Sequence, residues 1–185
     1  MIVLLIVVGL GLIVFLWGLA AYNGLVRSRN EVRNAWSQID VQLKRRHDLI
    51  PNLVETVKGY AGHEKSTLES VVQARAAAVA AQDVQERART EGLLSGALGR
   101  LMAVVEQYPD LKANSNFLAL QEELTSTENK IGFARQYYND SVMKFNTQLE
   151  QAPTNIVAGL FHFQPGTFFE ITEPAAREVP QVKFT

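Results

Sequence analysis

Cysteine is absent from this sequence and histidine occurs only three times. The first absence removes disulfides, thiolate nucleophiles and cysteine metal sites, although it says nothing about the compartment. His47, His63 and His162 are scattered with no ligand spacing. His63-Glu64-Lys65-Ser66-Thr67 opens like a zinc-protease helix but lacks the second histidine at position 67. There is no glycine-rich phosphate loop and no G-x-S-x-G elbow. No residue is therefore assigned as catalytic, cofactor-binding or metal-ligating, and the expectation is a protein without enzymatic chemistry. A surplus of charge is missing as well: 18 Lys and Arg against 19 Asp and Glu leave a net charge of -1, too little for the broad basic field that nucleic acid requires.

The most telling absence is of any charged side chain before Arg27. At about 1.5 Å per helical residue, Ile2 to Tyr22 is long enough to cross the ~30 Å hydrocarbon layer of a membrane. A cleaved secretory signal is the alternative, but it would carry a basic start, a shorter apolar stretch and a clearer cleavage site than Gly18-Leu19-Ala20-Ala21. Arg27, Arg29 and Arg33 follow the run, while only the α-amine precedes it. Cations next to a span resist translocation, so the N-terminus is expected outside an inner membrane and the remainder in the cytoplasm, with the periplasm as the alternative. Trp17 and Tyr22 suit an interfacial aromatic belt. The expected division is an anchor over 1–26, a helical bundle over 27–153 and a tail over 154–185.

Helical periodicity fills the bundle segment. Val32, Trp36, Ile39, Leu43, Ile50, Leu53 and Val57 recur at alternating four- and three-residue steps, with Arg46 on the same stripe. The span is expected to run into this helix with a loosening at Asn23-Gly24 and a kink near His47 caused by Pro51. Gly59 and Gly62 suit a reversal, and Ser66 with Glu69 has capping-box spacing. The stripes of the next three helices read Leu68, Val72, Arg75, Val79; then Leu94, Leu98, Leu101, Val105, Tyr108, closed by Pro109; then Phe117, Leu120, Leu124, Thr127, Ile131, Ala134, Tyr138, Ser141, Phe145, Gln148. Gly92, Gly96 and Gly99 in the third suggest a backbone contact surface or a frayed start. The fold class expected is all-α: one transmembrane helix continuing into a long antiparallel bundle of about four helices.

Two features break the pattern. Arg46 and Arg75 stand where a bundle wants apolar side chains, and each should snorkel out or meet a carboxylate among Asp48, Glu55, Glu122, Glu123 and Glu128, with Asn129, Asn139 and Asn146 to complete a network. Such groups fix helix register, or else line a ligand pocket. Past Pro153 helical period is lost, and Phe161, Phe163, Phe168, Phe169, Ile171 and Phe184 are too apolar to leave in water. This non-helical aromatic tail is expected to dock along its own bundle, on a neighbouring subunit or at a bilayer interface.

The strings RRHDLIPNLVETVKGYAGHE, VVQARA and LTSTENKIGFARQYYNDSVMKFN, in that order behind an apolar helix, resemble the LemA family of bacterial membrane proteins. The resemblance covers essentially the whole chain and implies a single N-terminal span, an antiparallel bundle of about four helices and no established activity. A magnetosome-associated member of the family implies a part in membrane organisation. The function expected is thus a membrane-anchored interaction or scaffold protein, self-assembling and in contact with lipid. The alternative is a tethered sensor holding a small ligand in a polar pocket near Arg75.

The cation asymmetry sets a test of sidedness. With Ser115→Cys as the only thiol, a membrane-impermeant reagent should fail to label intact spheroplasts and should label them after lysis; labelling before lysis would place the bundle in the periplasm.

Overall fold

The computed structural model describes residues 1–61 and 63–170, so Gly62, Ile171 and Phe184 lie outside the described residues. Among these the chain is all-α, with no strand. Six helices follow one another: α1 Ile2–Lys58, α2 Lys65–Ala80, α3 Val84–Val105, α4 Pro109–Lys112, α5 Ser115–Glu150 and α6 Thr154–Leu160. Two compact units share the long helices. Unit 1 comprises Met1–Asp40 and Phe133–Phe168; unit 2 comprises Val41–Gly132 with Phe169 and Glu170.

α1 runs from the apolar segment into the bundle sequence without the loosening expected at Asn23-Gly24. One glycine costs a helix only about 1 kcal/mol, and the good helix formers on either side carry it. The same helix continues through Pro51 to Lys58. Its large apolar side chains from Ile2 to Leu16 are all exposed, and this segment is the one among the described residues long and apolar enough to cross a membrane.

In unit 1, α1 and α5 pair antiparallel: Leu25 joins Phe145, Glu31 accepts from Lys144 at 2.9 Å, and the Trp36 ring lies 5.4 Å from that of Tyr138. In unit 2, Arg45 of α1 pairs with Glu123 of α5, and the Tyr60 hydroxyl accepts from Asn114 at 2.9 Å. The stripes read from α1, α3 and α5 are the faces turned inward. Ile50, Leu53, Val57, Leu94, Leu101 and Phe117 form the centre of unit 2, each contributing about 1.5–3 kcal/mol by leaving water.

α2 departs from its expected stripe. Leu68, Val71 and Ala78 are buried, whereas Val72 and Val79 are about half exposed. Of the α2 alanines, Ala78 is buried and Ala74 partly so, while Ala76, Ala77 and Ala80 are exposed; the small side chain at Ala78 lets α2 approach its hairpin partner α3, and that closeness outweighs burial of two valines. Of the three glycines in α3, Gly92 is buried, but a Cβ at Gly99 would meet nothing within 4 Å, so the glycines do not form one contact surface.

The helix ends also differ in part from expectation. α2 starts at Lys65 and its N-cap, Glu64, makes no side-chain cap bond; Ser66 therefore falls inside the first turn, where it cannot serve as the cap of a capping box. Asp83 caps α3 through the Glu86 N–H at 2.8 Å, and Asn114 caps α5 through the N–H groups of Asn116 and Phe117. Pro109 opens α4 instead of closing α3, a position where its missing N–H costs nothing.

The tail is not wholly free of helix, because α6 occupies Thr154–Leu160. His162 then adopts φ 54°, the left-handed region. Its N–H reaches the Gly159 carbonyl at 3.2 Å while the Phe163 N–H reaches Ala158 at 3.0 Å, the paired bonds that close a helix and reverse the chain. That reversal brings Phe163 onto Ala158, Leu25 and Phe145. Further on, Asn146 holds both backbone groups of Gly166, and the Tyr138 hydroxyl donates to the Thr167 carbonyl at 2.8 Å. As far as Thr167 the tail packs on unit 1 of its own chain.

Candidate functional site

The polar centre of unit 2 is Arg46, which is 2% exposed. Its stripe places it on the inward face of α1, where one donor edge meets Glu91 of α3 and the other meets both Ser95, at 3.0 Å, and Glu128 of α5. Glu91 is as fully buried as Arg46, while Glu128 is half exposed. The second Glu91 oxygen lies 2.8 Å from Nε2 of His47. Burial alone would raise the Glu91 carboxyl, but the His47 hydrogen bond and the Arg46 charge outweigh it and hold the group below its ordinary value.

Arg75 joins the cluster from α2 by a different route. Its Nε donates at 2.7 Å to the backbone carbonyl of His47. That carbonyl would normally accept from the N–H four residues on, and the residue four on is Pro51, which has none. Arg75 thus replaces the hydrogen bond that the proline deletes, an outcome apart from the two expected for it, reaching solvent or meeting a carboxylate. Each of the four long helices contributes to the cluster: α1 through Arg46 and His47, α2 through Arg75, α3 through Glu91 and Ser95, α5 through Glu128.

Of the carboxylates expected to serve the arginines, Glu128 does so. Glu123 pairs with Arg45 on the surface, and Asp48, Glu55 and Glu122 are exposed. Asn146 serves the tail, Asn139 is half buried in unit 1, and Asn129 lines a cavity of about 340 Å³ beside Arg46, along with Ser95, Gln121, Thr125 and Glu128. Arg75 does not line that cavity, which lies by the other arginine. Glu91 and the side chain of His47 were not anticipated. Extending the α3 stripe three residues back from Leu94 lands on Glu91, an acid on the inward face to match Arg46. His63 and His162 are exposed and take no part.

Chemically, the cluster holds charges and does not position a nucleophile against a base. Its strength lies in what removal leaves behind, a buried ion without its partner.

The LemA family model matches residues 35–184. The chain is 30% identical to Protein LemA of Metamycoplasma hominis over 153 residues, covering 82% of this chain and 69% of that protein. It is 25% identical to Magnetosome protein MamQ 2 of Paramagnetospirillum magneticum and 24% identical to Magnetosome protein MamQ of Magnetospirillum gryphiswaldense, in each case over 88% of this chain and 68% of the relative.

Arg75→Ala should cost about 1–3 kcal/mol by orphaning the His47 carbonyl, and should cost clearly less in a Pro51→Ala background, where the helix regains its own donor; additive losses in a thermal-melting double-mutant cycle would show that the two residues are uncoupled. Because the Glu91 carboxyl is lowered in the folded protein from its ordinary value of 4.5, its contribution is fully present above that pH and is lost as pH falls through the folded value. Glu91→Gln should therefore cost about 3 kcal/mol at neutral pH and flatten the acid limb of melting temperature against pH; an unchanged acid limb would show that Glu91 does not drive it.

Proposed function

The chain belongs to the LemA family, and from that membership we propose that it is a membrane-anchored interaction protein that assembles with copies of itself at an inner membrane. The observation that carries this reading is α1: one uninterrupted helix bears both the exposed apolar segment and the bundle sequence that contains Arg46 and His47. A bundle made continuous with its span is held at the membrane without a flexible linker. Relatives named as magnetosome proteins support a task in membrane organisation. The polar cluster fits a structural duty, fixing the register of four helices so that a defined surface is presented.

The cavity beside Arg46 favours a second reading, a tethered receptor for a small polar ligand. Its volume of about 340 Å³ is at the lower end of ordinary ligand sites, roughly 300–1,000 Å³, and Nε of Arg46 is buried without a partner.

Full-length protein purified in mild detergent decides between the two. The scaffold reading expects a particle several protomers in mass that survives dilution and is trapped by short cross-linkers. A monomer at every concentration would overturn it, and a monomer whose melting temperature rises with polar metabolites would favour the receptor.

A further inference from the structure

Unit 1 carries an apolar surface that its own core does not use. α6 turns Val157 and Ala158 onto Leu25 and Phe145. Ile156 and Leu160, four residues apart and so on one face, are left 68% and 71% exposed. Phe161 follows them, also largely exposed, with its ring 4.7 Å from that of Tyr22. Single exposed apolar residues are ordinary, but three contiguous ones at one helix end call for a partner.

Position identifies the partner. α6 packs on the stretch of α1 at Ala21, Tyr22 and Leu25, the turn at which the uncharged run of the sequence ends. The Ile156–Leu160–Phe161 face is thereby continuous, through Tyr22, with the exposed apolar surface of Ile2 to Leu19. Whatever covers the one adjoins the other. The next charges along α1 are mostly cations: Arg27 and Arg33 are exposed, Arg29 lies 5.2 Å from the Phe163 ring, and the one acid among them, Glu31, is engaged by Lys144 at 2.9 Å. An apolar ridge at the end of a span with basic residues just beyond it matches the layering of a bilayer edge, acyl chains first and phosphates next.

We propose that α6 is an interfacial helix: Ile156, Leu160 and Phe161 enter the boundary between acyl chains and headgroups beside the span, and Arg27 and Arg33 face anionic headgroups. The proposal rests on reading Ile2–Tyr22 as membrane-spanning. It gives the tail a lipid-contacting role that is separate from self-assembly.

The cysteine-free sequence makes the test clean. Ile156→Cys and Leu160→Cys, with Leu16→Cys inside the span and Phe133→Cys on an exposed site away from the ridge, are each labelled with nitrobenzoxadiazole in the full chain. The proteins are reconstituted in phosphatidylcholine vesicles with or without phosphatidylglycerol, using lipids brominated at the headgroup end of the acyl chains. Labels at 156 and 160 should shift to the blue and lose intensity to brominated lipid, as the label at 16 does, while the label at 133 responds only to aqueous iodide. Anionic lipid should deepen the quenching at 156 and 160, and Arg27→Gln with Arg33→Gln should abolish that increment; no increment would overturn the assignment of those arginines. Iodide quenching at 156 and 160 equal to that at 133, with the label at 16 still quenched by bromine, would overturn the interfacial helix and leave the span standing. Protection from both quenchers would mean that a second copy covers the ridge and would overturn it equally. Failure of bromine to reach the label at 16 would overturn the span and the proposal together.

Discussion

A guanidinium cannot stay in an apolar interior without anions around it, and the polar architecture of the second unit is organised by that constraint at Arg46. Two glutamates from different helices and Ser95 meet its terminal nitrogens, and His47 takes the second oxygen of Glu91, while Nε of Arg46 is left without a partner. A purely apolar seam would hold these helices with comparable energy, since buried ion pairs seldom outperform well-packed leucines. What the ions add is discrimination. Sliding α3 by one turn would strand Arg46 and Glu91 at once, and sliding α5 would take Glu128 from Arg46, so the competing registers are raised in energy more than the native one is lowered.

The unions of apolar stripes in α1, α3 and α5 were legible because their repeat of three and four has no competing reading. The acid partner of Arg46 was legible in principle, since it continues the α3 stripe by one step, but the stripe was read only from its first leucine. α2 was misread for a definite reason: valine outweighs alanine on any hydrophobic scale, whereas close helix contact rewards the smaller residue. The duty of Arg75 lies beyond periodicity altogether. Its acceptor is a backbone atom, and only folding reveals which arginine stands near the carbonyl that Pro51 leaves open. α6 was hidden by its length, because seven residues between Pro153 and a left-handed histidine give periodicity too little to work with.

Membership of the LemA family and the apolar first third of α1 point the same way, toward a chain whose working environment includes a bilayer. The tail adds to that picture in an unexpected manner. Phe163 is spent on the core of unit 1 and Phe169 is buried, so of the four aromatic rings in the described tail only Phe161 and Phe168 remain for contacts outside the chain. An aromatic-rich segment is thus divided between two tasks, with Phe163 and Phe169 turned inward and Phe161 and Phe168 outward.

The bond from Arg75 to the His47 carbonyl also gives the order of sequence change a direction. Replacing Pro51 first returns a donor to α1 and frees Arg75 from its duty, after which the arginine can drift at little cost. Replacing Arg75 first leaves a part-buried carbonyl without its donor, and selection meets that defect before any remedy is in place. Descendants of this sequence can therefore lose the pair readily along one path and with difficulty along the other, although both paths end at the same two substitutions.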